Sequence, residues 1–155
     1  MHNSCFIRDF EVLDVFGIEL RDEQKDLQMV LQDKVAYGKG LTRSVTCKTV
    51  VDIETGKPYL ISGVFKLTPN LAEAFMMVDK DFPLIFKSNA KLIIREIKKN
   101  MVQCNVYRLQ VLVREDFKVG QRFVESLGFE AEGVCRGMSL DRSNMILYSW
   151  INKNV

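Results

Sequence analysis

The feature that most constrains this chain is a change of hydrophobic period near its middle. SVTCKTVVDI (44–53) and YLISGVFKL (59–67) are rich in β-branched residues and alternate in strand fashion, and ETGKP between them is turn chemistry, so 44–67 reads as a hairpin. After a second turn at Pro69-Asn70, AEAFMMVD (72–79) becomes apolar on both faces, as a central strand covered on both sides requires. Beyond Pro83 the period switches. Phe86, Ala90, Ile93, Ile94, Ile97 and Met101 recur at spacings of three and four, an amphipathic helix of about four turns with proline near its start.

The flanks extend this grammar. CFIRDFEVL (5–13) reads as a short strand. From Asp14 to Tyr37 the positions Ile18, Leu20, Leu27, Val30, Leu31 and Val35 suit helical period. Asp22 is a candidate cap for a second helix there, and Gly38-Lys39-Gly40 is the expected stop. VYRLQVLV (106–113) is a strand. Glu115 or Asp116 is the expected cap of a short helix with apolar positions Phe117, Phe123, Val124 and Leu127. RFVESLGFEAEG (122–133) ends that helix. Gly128 suits the left-handed residue after the last turn, and Phe129 can fold back onto the helix. EAEGVCRGMSL and NMILYSWI form a closing strand pair around Asp141-Arg142-Ser143-Asn144. The expected fold class is α/β (α+β). A mixed central sheet in the order β-α-α-β-β-β-α-β-α-β-β carries helices on both faces. With no repeat, low-complexity tract or linker, residues 1–155 read as one domain.

Composition narrows the chemistry. At 155 residues and 47% hydrophobic content the chain can bury a core without disulfide staples. Cys5, Cys47, Cys104 and Cys135 form no close pair and fit no zinc spacing, so no metal site is expected. The single histidine, His2, sits at a terminus, which argues against Ser-His-Asp, Cys-His and His-ligated metal mechanisms. No apolar run approaches the ~18 residues of a membrane span. MHNSCFIRDFEVLDVF has no basic-then-apolar leader, so the expected location is cytoplasmic, with no membrane partner. Residues 1–33 carry eight acids and three bases, against nineteen bases and twelve acids in the remainder. Lys87, Lys91, Arg95 and Lys98 recur at helical spacing on the polar side of the 86–101 helix. That stripe is either a solvated face or an anion-binding surface for nucleic-acid phosphates.

The element order, with a helix running into SLGF and a closing strand pair, resembles the GCN5-related N-acetyltransferase (GNAT) superfamily over nearly the whole chain. The resemblance is strongest at QRFVESLGFEAEG, which looks like the family's fourth helix and the strand after it. It implies acetyl-coenzyme A held beside the fourth strand, with Met77, Val78, Lys87 and Ser88 as cofactor-binding residues if the coenzyme binds. It also implies a pyrophosphate loop of the form Gln/Arg-x-x-Gly-x-Gly/Ala before the third helix.

Here the corresponding stretch is VDKDFPLIFKS (78–88). Pro83 stands where Gln or Arg belongs, and Phe86 and Ser88 stand on the glycine positions. A phenylalanine bars close backbone approach, proline removes a donor, and Asp79 and Asp81 add negative charge. Val124 stands four residues before Gly128, where many members carry the tyrosine that protonates the departing thiolate. Tyr59, Tyr107 and Tyr148 match no such position. Glu73, on the matching strand, is the candidate general base. This pattern of degeneracy is similar to small internal virion proteins of short-tailed phages. It implies a non-catalytic protein with a protein partner, in host cytoplasm or virion. The alternative is a divergent acetyl-CoA-dependent N-acetyltransferase acting on an amine.

Overall fold

The computed structural model describes residues 5–24, 26–27, 31–82, 87–103 and 105–154. His2, Val30, Pro83, Phe86 and Cys104 lie outside the described residues, as do the side chains of Leu31, Lys87, Ser88, Ala90 and Met101. One sheet of seven strands forms the centre: β1 (Cys5–Asp9), β2 (Thr46–Asp52), β3 (Pro58–Thr68), β4 (Leu71–Val78), β5 (Arg108–Arg114), β6 (Glu130–Cys135) and β7 (Met145–Ile151). Their spatial order is β1-β2-β3-β4-β5-β7-β6. Every neighbouring pair is antiparallel except β4 with β5. Among the described residues the helices with complete ranges are α1 (Asp14–Gly17), α2 (Lys34–Leu41), α3 (Lys87–Gln103) and α4 (Lys118–Ser126). Their order along the chain is the expected one, with two 3₁₀ turns, Asp22–Gln24 and Leu31–Asp33, added between α1 and α2.

Strand alternation sorts the side chains into two cores. Val50, Leu60, Val64, Ala72 and Ala74 face α3 and α4, where they pack with Ile93, Ile94, Ile97 and Val124. Ile61 and Met77 face the other way and pack with Val15, Ile18, Leu20 and Leu41 around α1 and α2. The doubly apolar AEAFMMVD is thus a central strand, with Met76 and Val78 on one face and Phe75 and Met77 on the other.

Four local expectations are corrected. The helical period read from Asp14 to Tyr37 does not hold at Ile18 and Leu20. Ile18 is extended and Leu20 bridges Asp79, because docking these side chains beneath the sheet outweighs their helical spacing. Asp22 opens a 3₁₀ turn, and the cap of α2 is Asp33, whose carboxylate accepts from the Ala36 N–H at 3.0 Å. Gly38 and Gly40 lie inside α2 and do not end it. A Cβ on Gly38 would stand 2.9 Å from Val12 Cγ1, so that glycine serves close packing.

At α4 the residue before the helix is Phe117, with no side-chain cap. Asp116 is drawn onto Arg114, and Glu115 accepts from the Asn144 amide at 2.9 Å, so neither carboxylate is free to cap. The helix ends as expected. Phe129 N–H donates to Val124 O and Gly128 N–H to Glu125 O, with Gly128 at φ +88°. Among the described residues no helix is long and apolar enough to cross a membrane.

Candidate functional site

β4 and β5 pair over three residues only, Leu71–Glu73 against Arg108–Gln110. Beyond that point β4 stays with β3 as far as Val78, while β5 stays with β7 as far as Arg114. The two strands diverge and leave a cleft of about 290 Å³. Its walls are apolar: Met76 and Val78 on one side, Val111 and Val113 on the other, closed by Phe123 and Val124 of α4. Phe82 also lines it and packs against the core.

Glu73 stands at the closed end of this cleft. It is half-buried, and its carboxylate accepts from the Gln110 side-chain amide at 2.8 Å across the last paired rung. Val124 is buried in the opposite wall. No hydroxyl or thiol side chain lines the cleft among the described residues. Tyr148 is buried, its hydroxyl donates to Glu125 at 3.1 Å, and burial together with that carboxylate pushes the phenol up to about 12. Tyr107 is exposed, and Tyr59 sits beside Lys57 on β3, away from the cleft lining.

The edge of β4 that β5 abandons is occupied by this chain's own residues. In an antiparallel strand the N–H and C=O of one residue point to the same side. The Gln24 amide donates to Met76 O at 2.7 Å, and its carbonyl accepts from Val78 N–H at 2.8 Å. Arg21 N–H donates to Val78 O at 3.2 Å. Met76 and Val78 therefore aim their backbone groups into the cleft, and alternation aims those of Met77 at Ile61 of β3. The Met77 side chain is buried on the α1–α2 face. Of the two strand residues expected at a cofactor, Val78 lines the cleft and Met77 does not, while its neighbour Met76 does.

Residues on either side of Gln24 in sequence reach the two walls of the cleft. On the β4 side Lys80 N–H donates to Glu19 O, and Glu19 N–H donates to the Asp79 carboxylate. On the far side Asp26 accepts from the Ser139 hydroxyl at 2.6 Å and lies 3.8 Å from the Arg114 guanidinium. Arg21 also lines the cleft. Its Nε stands 3.6 Å from Glu23 and is the one buried side-chain nitrogen without a hydrogen bond among the described residues.

Asp79 and Asp81, expected to repel a pyrophosphate, share Lys57 at 3.1 and 3.0 Å. Asp79 is fully buried and also accepts from Asp81 N–H, so it is a structural anchor for the turn after β4. The basic stripe is less uniform than its spacing suggests. Lys91 and Arg95 are exposed. Lys98 folds over the rings of Phe129 and Trp150, each 5.0 Å away, and donates to Leu127 O. Burial pulls its pKa down. The backbone of Lys87 and Ser88 forms the first turn of α3.

The fit to acetyl-coenzyme A is therefore incomplete. The β4 edge has the right backbone groups, but Gln24 and Arg21 hold them, and the wall at Val124 offers no acid.

No family model matches the chain, and no curated protein matches its sequence. Solved structures do match its fold. Ard1 from Thermoplasma volcanium superposes with a TM-score of 0.73 at 18% identity, covering 95% of this chain and 97% of that one. The ribosomal-protein-S5-alanine acetyltransferase from Vibrio fischeri gives 0.68 at 13%, covering 97% and 94%. A GNAT superfamily phosphinothricin acetyltransferase from Sinorhizobium meliloti, solved in complex with AcCoA, gives 0.66 at 13%, covering 95% and 88%. At these identities the likeness is one of architecture, and the architecture is the GNAT fold.

Proposed function

We propose that this chain is a GNAT-fold protein that acts by binding and does not transfer acetyl groups as it stands. The observation that carries this reading is the cleft wall at Val124. A departing thiolate meets an apolar side chain there, and no hydroxyl or thiol stands elsewhere in the described lining. The occupied β4 edge supports the same reading. The partner under this reading is a protein, in line with the resemblance to small internal virion proteins. Val134, Met138 and Leu140, exposed on β6 and the loop after it, offer apolar contact surface. Calorimetric titration of the wild-type chain with acetyl-CoA is the test. The expected result is no binding in the micromolar range, and micromolar affinity overturns the reading.

A second reading, a divergent N-acetyltransferase, draws on one observation. Glu73 is a carboxylate in the cleft lining held by Gln110, which supports reading it as a base that takes an amine proton through water. A panel of amines with acetyl-CoA, followed by free thiol release, decides it. Turnover that E73Q abolishes selects this reading, and no turnover with any amine removes it.

A further inference from the structure

We propose that Glu19 to Gln24, together with Asp26 and Leu27, form a strap that shuts the β4–β5 cleft, with Gln24 as an internal competitor for an extended, amide-bearing ligand. A strand edge inside a cleft needs partners for its N–H and C=O groups, and β5 has diverged too far to supply them. Gln24 supplies them instead. Its carbonyl takes Val78 N–H and its amide nitrogen gives to Met76 O, the acceptor–donor pair that a neighbouring strand would present. An extended chain with two secondary amides in series offers the same pair, the N–H of one and the C=O of the other, since those of a single trans amide point opposite ways. The pantetheine arm of coenzyme A carries two such amides, so it is the small-molecule chemistry that fits the edge once Gln24 leaves.

The strap is fastened at both walls. Glu19 and Arg21 bond to the β4 side, and Asp26 reaches Ser139 and Arg114 on the β5–β7 side. Closure thus spans the two halves of the sheet, and releasing either end frees the edge between them. Arg21 lines the same opening and belongs to the strap, its buried Nε ion-paired with Glu23 at 3.6 Å. The strap deepens the binding reading above, because it gives a physical cause for weak coenzyme affinity in a fold whose cleft is otherwise formed.

The test compares the wild-type chain with Q24A, Q24L and D26N, using amide hydrogen exchange and calorimetry with coenzyme A and D-pantetheine. Q24A and Q24L each remove the bond to Val78 N–H. Its exchange is expected to quicken about tenfold or more in both, while Met77, bonded to β3, keeps its rate. Q24L keeps the side-chain bulk and guards against a folding defect in Q24A. Q24A is expected to bind both probes about tenfold or more tighter than wild type, with D26N moving the same way. Unchanged Val78 exchange overturns the strap. Faster exchange with no gain in affinity overturns the competitor role. Micromolar acetyl-CoA binding by the wild type overturns the binding-only reading instead, and the ratio of Q24A to wild type still judges the strap.

Discussion

Gly128 shows how much one residue decides. Its φ of +88° lets Phe129 turn back so that its N–H reaches Val124 O, which seats Phe129 in the core beside the cleft wall. A Cβ there would have room, 3.5 Å from Lys98 Nζ, so G128A exacts a conformational penalty and no steric one. The expected loss is about 1–2 kcal/mol, read as a lower urea midpoint with unchanged slope. Asp14 is a second such residue. It is buried at the first position of α1, takes both terminal Arg8 nitrogens at 2.6 and 2.9 Å, and accepts from Thr49 at 2.7 Å and Glu11 N–H at 2.9 Å. Burial works against its charge, but Arg8 and the other donors outweigh burial and hold its pKa below the usual carboxylate value. A lowered folded pKa gives stability that is fully present above about pH 4 and is lost as pH falls through the folded value. D14N is therefore expected to cost about 2–3 kcal/mol at pH 7 and to show a flatter stability profile below pH 4 than wild type. Equal losses at pH 7 and pH 2 would contradict the assignment.

At the scale of elements, α2 carries two glycines with opposite consequences. Gly38 packs against Val12, whose Cγ1 and carbonyl oxygen would stand 2.9 and 3.2 Å from an added Cβ. Gly40 has nothing within 4 Å of that position and sits in ordinary helical backbone. G38A is expected to destabilise by about 1–3 kcal/mol and G40A to stabilise by about 0.5–1 kcal/mol, measured side by side in urea. The same helix marks a limit of reading from sequence, since Gly-Lys-Gly looks like a stop and only the contact with Val12 shows why it is not. The elements from β2 through β7 were legible because each carries its own period: 2 in the hairpin, 3 to 4 in Ile93, Ile94 and Ile97, and the glycine stop at Gly128. The region 14–37 was not legible. Ile18 and Leu20 have helical spacing, but they reach their core from extended backbone fixed by Asp79, far along the chain. The capping carboxylates of α4 failed for a related reason, because Arg114 and Asn144 compete for them from outside the element.

Over the whole molecule, the candidate site divides along the same line. Glu73 and Val124 could be placed from sequence because strand register and distance from Gly128 are local measures. Gln24 could not, because it meets Met76 and Val78 across 52 and 54 residues and acquires its role only where β4 and β5 part. The charge asymmetry of the chain is also resolved at this scale. Acids from the first 33 residues pair with bases of the body: Asp9 with Lys48, Glu19 with Lys80, Asp26 with Arg114. The excess of base that suggested an anionic partner is thus partly matched within the fold. Lys98 is further withdrawn onto Phe129, Trp150 and Leu127 O, which leaves Lys91 and Arg95 exposed on the α3 stripe, with Lys99 exposed one turn beyond. Among the described residues of α3, three cations can then meet phosphates together. Duplex DNA binding, followed by fluorescence anisotropy from low to moderate salt, is expected to be weak and to show a log–log salt slope no steeper than about −3. A slope nearer −6 would require a basic surface wider than this face of α3 presents, and would make nucleic acid the partner in place of a protein.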